Sequence, residues 1–222
     1  MNRFFNIWLF IFCVIGIPFA IAIGLNEDFK FFGIEIQGEE YPYKNITFGI
    51  IAAAIFLLGI LKASKKWLGL YTIKQKNRFQ FHTPLSKERK KRVLLYGVIE
   101  LVFFLIFAFT YFFFTLESIF ISIVLFLIAI EHLLNLIIGI GQNNFGVGLS
   151  KKAIIRVDRE IDVLYFKGLQ KITKHQQTLY FDYVNDLVLH IPLNTIPDTE
   201  KAKFFELLEK VNSKDKVYYE GF

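Results

Sequence analysis

Four long apolar runs punctuate the chain: Phe4–Leu25, Ile46–Ala63, Val93–Phe114 and Ile119–Ile140. A polar stretch, 142–222, follows them. A hydrocarbon core of about 30 Å takes roughly 20 apolar residues of helix to cross. The first, third and fourth runs reach that length. The second is short and carries Lys62 near its end, whose aliphatic stem is expected to snorkel toward the headgroups. The pattern predicts an α-helical membrane protein with four transmembrane helices plus a small cytoplasmic α+β domain. Four segments follow: 1–63, a first helix pair with an external loop; 64–92, a basic cytoplasmic segment; 93–141, a transmembrane hairpin; and 142–222, the cytoplasmic domain.

Charge orients this arrangement. Residues 26–45 hold five acids (Glu27, Asp28, Glu35, Glu39, Glu40) and two bases, whereas 62–92 hold eleven bases and one acid, Glu88. Basic loops stay in the cytoplasm. The loop 62–92 is therefore expected inside, 26–45 outside, and both termini inside. The connection Thr115–Ser118 is short enough to make spans three and four a tight hairpin. The first run is longer than a typical signal-peptide core and no A-x-A site follows it, so it reads as a retained span, with Pro18 marking a kink or a helix contact. This is the pattern of a multi-pass cytoplasmic-membrane protein. The net charge of +6 lies almost wholly in 62–92, where the membrane rule puts it, and calls for no nucleic acid. The run Lys87, Glu88, Arg89, Lys90, Lys91, Arg92 abuts span three, which makes the five cations candidates for contact with anionic lipid. The lone Cys13 excludes a disulfide framework and a thiolate metal set.

The tail has strand character over Ala153–Val157, Ile161–Phe166, Leu169–Thr173, Thr178–Tyr183 and Leu187–Ile191, with polar turns at Asp158-Arg159-Glu160 and Asn185-Asp186. Asp198 is placed to cap a helix whose Phe204, Leu207, Leu208 and Val211 share one face. Strands closed by one amphipathic helix suggest a pleckstrin-homology-like (PH-like) barrel. Gly148-Leu149-Ser150, the run Ile154–Val157, Leu164–Ile172, Leu179-Tyr180-Phe181 and Ile191-Pro192 before the closing helix resemble the bacterial YcxB-like and related bacterial PH families. Where those families commonly carry tryptophan, this chain has Tyr165 or Phe166. The resemblance implies a binding module. Such a barrel wants about seven strands and the tail supplies five or six. Leu70–Phe81 alternates in a strand-like way and is a candidate for the rest. Spans three and four would then be inserted into a split cytoplasmic domain. The alternative is a basic loop lying on the headgroups.

Ionisable residues inside spans are costly and are site candidates by default. Glu100 lies roughly 10 Å from the cytoplasmic end of span three, and Glu131 roughly 15 Å from the same side on span four. Glu131 and Asn135 share a face, with His132 about 100° away. A packed cluster of Glu100 with Glu131, His132 or Asn135 reads as an interhelical clasp, as a proton- or ion-linked element, or as a catalytic pair, in falling order of expectation. No H-E-x-x-H pair and no phosphate-binding glycine loop is present, so neither a catalytic, metal nor cofactor site is expected. The sequence reads as a non-enzymatic membrane scaffold or sensor that binds a protein partner or itself, with envelope defence or toxin immunity as a narrower form. A transporter or ion-conducting oligomer built on Glu100 and Glu131 is the competing reading.

Overall fold

A computed structural model describes residues 2–29, 43–114, 118–184, 186–211 and 217–221. Most of the acidic loop 26–45 and the connection at 115–117 lie outside the described residues. The first helix, α1, runs Asn2–Phe29 and contains Pro18. It is followed by α2 (Lys44–Lys74), β1 (Phe81–Pro84), α3 (Lys87–Phe114) and α4 (Ile119–Leu136), which ends in a π-helical turn, Ile137–Gly141. Then come β2 (Gly146–Leu149), β3 (Ala153–Val157), β4 (Ile161–Tyr165), β5 (Leu169–His175), β6 (Thr178–Tyr183) and β7 (Val188–Pro192). The last elements are α5 (Asp198–Val211) and a short strand, β8 (Tyr218–Glu220). Among the described residues three helices are long and apolar enough to cross a membrane: Asn45–Lys74, Lys87–Phe113 and Ile119–Gly141. Their apolar surfaces are consistent with lipid contact.

By its internal contacts the chain separates into two compact units, Met1–Lys65 with Gly97–Leu134, and Lys66–Tyr96 with Asn135–Phe222. The first is a helical unit. Leu9 and Cys13 of α1, Phe48, Ala52 and Ile55 of α2, Phe104, Ala108 and Tyr111 of α3, and Ile121 and Leu125 of α4 form its core. Polar side chains within it spend their hydrogen bonds on backbone carbonyls. The Tyr111 hydroxyl donates to the Cys13 carbonyl at 2.7 Å, and Ser122 Oγ donates to the Ala108 carbonyl at 2.8 Å. In an apolar medium such groups must be satisfied internally, and these bonds also tie α3 to α1 and α4.

The second unit holds two four-stranded sheets, ordered β1-β2-β3-β4 and β7-β6-β5-β8. Strand β1 comes before the hairpin α3–α4 in the chain and pairs antiparallel with β2, which comes after it: Phe81 faces Leu149 and Pro84 faces Gly146. As an edge strand β1 tolerates Pro84, which has no N–H to donate. Ser86 then starts α3. Its Oγ accepts the Arg89 N–H at 3.1 Å, the bond of an N-cap, and donates to the Asn194 carbonyl at 2.5 Å. The core gathers Leu70 and Ile73 from α2, Phe81, Val147 and Leu149 from the first sheet, Ile172, Leu179 and Phe181 from the second, and Phe204 and Leu208 from α5. Phe81 and Phe204 rings sit 5.5 Å apart, so β1 touches the closing helix as well as its neighbour strand.

Two local expectations change. Leu70–Phe81 is not a strand throughout: α2 continues to Lys74, a 3-10 turn spans Lys76–Arg78, and only Phe81 falls in β1. Trp67, Leu70 and Ile73 recur every three residues, and the two aliphatic ones are buried to 2% exposure or less, which is a helical stripe facing a core. Asp198 is the first residue of α5 and pairs with Lys201 across one turn at 2.5 Å. Its charge still sits at the end of the helix that favours an anion.

Candidate functional site

Helix α2 carries Lys62 at the end of its apolar run, and the side chain reaches Glu100 of α3. The Lys62 ammonium forms an ion pair and hydrogen bond with Glu100 Oε1. The same ammonium lies 5.7 Å from the centre of the buried Phe104 ring, within cation–π range. His132 of α4 is buried, with its Nε2 at 3.1 Å from the Gly97 carbonyl and 3.9 Å from Glu100 Oε2. A carbonyl only accepts, so Nε2 carries the proton in that contact. Lysine, glutamate and histidine from three helices thus meet at one place, and the lysine balances the glutamate charge.

Of the four residues expected to cluster, Glu100 and His132 come together. Glu131 is half-buried on α4 beside His132. Asn135 is buried, and its Nδ2 has no hydrogen-bond partner among the described residues. In the last two turns of α4 the buried polar positions are therefore His132 and Asn135, three apart, and the face read from Glu131 and Asn135 is rotated. Lys62 was missed because its position at the end of a short apolar run is equally that of a snorkelling lysine. Nothing in a linear pattern pairs residues 38 apart on different helices.

The basic segment divides by role. Lys87, Lys91 and Arg92 are exposed, and Arg92 pairs with Glu88 one turn earlier at 2.5 Å. Lys90 Nζ donates to Asn143 Oδ1. Arg89 turns inward and grips Asp158 Oδ2 with Nε at 3.1 Å and Nη2 at 2.5 Å. Asp158 is 3% exposed, and its other oxygen accepts the Glu160 N–H at 3.0 Å, which shapes the β3–β4 turn. Arg156 extends the network to Asp162, where burial raises the carboxyl's pKa against the lowering effect of that guanidinium. Asp158 was read as part of a polar turn. It is the buried anion that fixes the first turn of α3 to the first sheet.

In the second sheet, Lys171 of β5 pairs with Glu220 of β8 and lies 5.6 Å from the Tyr218 ring centre. Lys174 Nζ lies 5.3 Å from the ring of Phe205 on α5. The reading of the sequence contained no β8. Among the described residues no group of three His, Cys, Asp or Glu side chains is placed to hold a metal ion. Comparison with protein-family models, with curated proteins and with solved structures finds no match to this chain.

Proposed function

We propose that this chain is a non-enzymatic, multi-pass membrane scaffold or sensor whose sheet domain binds a protein partner on the cytoplasmic side. The observation that carries the reading is the strand arrangement. An antiparallel four-strand meander, a second meander of three strands and then one amphipathic helix whose Phe204 and Leu208 enter the core follow the order of a PH-like barrel. It supports the resemblance to YcxB-like proteins and, with it, a binding role. The charge asymmetry between 26–45 and 62–92 supports N- and C-termini in the cytoplasm, with α1 as a fourth span, and the resemblance to bacterial families supports a bacterial cell. The exposed Lys87, Lys91 and Arg92 are the cations available to anionic headgroups. The Lys62–Glu100 pair favours the clasp over the conducting oligomer, because a paired charge locks helices together more readily than it passes an ion.

Two measurements on intact cells and extracts test this. Single cysteines at Gln37 and Gln75, probed with a membrane-impermeant maleimide, are expected to label at Gln37 alone. Labelling at Gln75 alone reverses the orientation and places the sheet domain outside. Affinity purification of the full chain in mild detergent is then expected to recover a second protein in stoichiometric amount. Recovery of the chain with itself alone assigns the assembly to a homo-oligomer.

A further inference from the structure

Strand β8 is three residues long, and it pairs in parallel with β5: Lys171 faces Tyr218, Ile172 faces Tyr219 and Thr173 faces Glu220. It occupies the edge of the second sheet beside α5. Each of its residues meets a feature suited to it. Val217, just before it, is buried in the domain core. Tyr219 packs against that core, and its hydroxyl donates to the Leu208 carbonyl of α5 at 3.2 Å. Leu208 lies in the last turn of α5, where carbonyls lack helical partners. Burial pushes the Tyr219 phenol up to about 12, so it remains a donor at any physiological pH. Glu220 meets Lys171, and the exposed Tyr218 ring lies against the same lysine. Gly221 has φ +79°, and a Cβ there would stand 2.5 Å from the Lys174 carbonyl, so only glycine lets the tail pass.

We propose that the groove between β5 and α5 is a strand-accepting site, held in cis by the chain's own C-terminal strand and open to a partner segment that carries an aromatic residue followed by a carboxylate. The site deepens the binding-module reading and rests on it. Its chemistry is that of β-augmentation: main-chain hydrogen bonds hold the strand, and alternate side chains select it. The occupant's nature is written in β8. The groove takes an aromatic ring with a hydrogen-bond donor into the core side, and the Lys171 and Lys174 rim takes an acid. The cis strand is displaceable for three reasons. It covers only Lys171–Thr173 of a seven-residue β5. Parallel pairing is slightly weaker per residue than antiparallel. Its one ion pair is on the surface, where such pairs contribute little. A longer partner strand has the whole of Leu169–His175 to pair with, four residues more than β8 engages.

The test uses the full chain in nanodiscs and a fluorescent peptide with the sequence of residues 216–222. In the double variant Tyr219→Ser/Glu220→Gln the cis strand is weakened without shortening the chain. Its affinity for the peptide is expected to exceed that of the unmodified protein at least tenfold. Adding Lys171→Glu is expected to weaken binding about tenfold, and a peptide with lysine in place of its glutamate is expected to restore it, which shows that the groove is still folded. Equal affinity of the unmodified protein and the double variant, or no binding by the variant, overturns the proposal. Concentration-dependent dimerisation of the double variant without peptide binding gives the groove to a second copy and also overturns it. A partner recovered equally with unmodified protein and K171E, with no peptide binding, removes the groove and leaves the binding-module reading standing. Peptide binding as described, with no partner recovered, upholds the groove and removes that reading instead.

Discussion

Gly146→Val is expected to strip β1 from β2 and to destabilise the sheet domain by on the order of 3 kcal/mol. A Cβ at Gly146 would lie 2.5 Å from the Thr83 carbonyl oxygen and 3.3 Å from its carbon. Both are backbone atoms of the partner strand, so no rotamer change relieves the contact. The ladder must open at its Pro84 end, and Phe81 then loses its place against Phe204. In a domain of this size the melting midpoint falls by roughly 10 °C. Gly141→Ala is the control. No atom lies within 4 Å of the added Cβ, and the change is expected to stay within about 0.5 kcal/mol. Thermal unfolding of both variants, followed by far-ultraviolet circular dichroism in nanodiscs, reads the difference. Equal midpoints for the two would show that β1 does not hold the domain together.

The second large effect concerns the lysine–glutamate pair of the helical unit. Lys62→Met leaves the Glu100 carboxylate without its cation, and Glu100→Gln leaves the ammonium facing a neutral amide. Removing one partner of a fully buried pair costs about 3–5 kcal/mol. Here the two side chains keep 17% and 20% of their exposure, so about 2 kcal/mol for each single change is expected. The double variant is expected to recover about 1–3 kcal/mol of the summed loss, the signature of groups that act as a unit. Thermal unfolding of the four proteins in one detergent completes the cycle. Strictly additive losses would mean that the two residues are not coupled.

The long apolar runs were legible because three helices repeat one physical rule over more than twenty residues each. The strands of the tail were legible because β-branched and aromatic residues fill Ala153–Val157 and Thr178–Tyr183. The errors share a cause, which is that short segments satisfy two periods at once. Tyr71 and Ile73 alternate as a strand would, yet Trp67, Leu70 and Ile73 recur as a helix would, and the longer window decides for the helix. Tyr218-Tyr219-Glu220 is too short to carry any period, and its partner β5 lies more than forty residues away. Lys62 and Arg89 were placed at lipid by the same rule of charge at a membrane edge. Each also finds an acid from a distant part of the chain, Glu100 and Asp158. A count of charges gives the side of the membrane. It does not say which cation turns inward, because that depends on where the fold buries a carboxylate.

A sheet domain interrupted by the apolar hairpin α3–α4, with β1 before it and β2 after it, is the centre of this account. Hydrogen exchange on the full chain in nanodiscs, resolved to peptides covering 81–84 and 146–149, tests it most directly. Paired amides open rarely and those of a loop open freely. Slow exchange in both segments, lost together in Gly146→Val, is the result expected if β1 belongs to the sheet. Fast exchange over 81–84 beside slow exchange over 146–149 would contradict it and make the segment before α3 a tether.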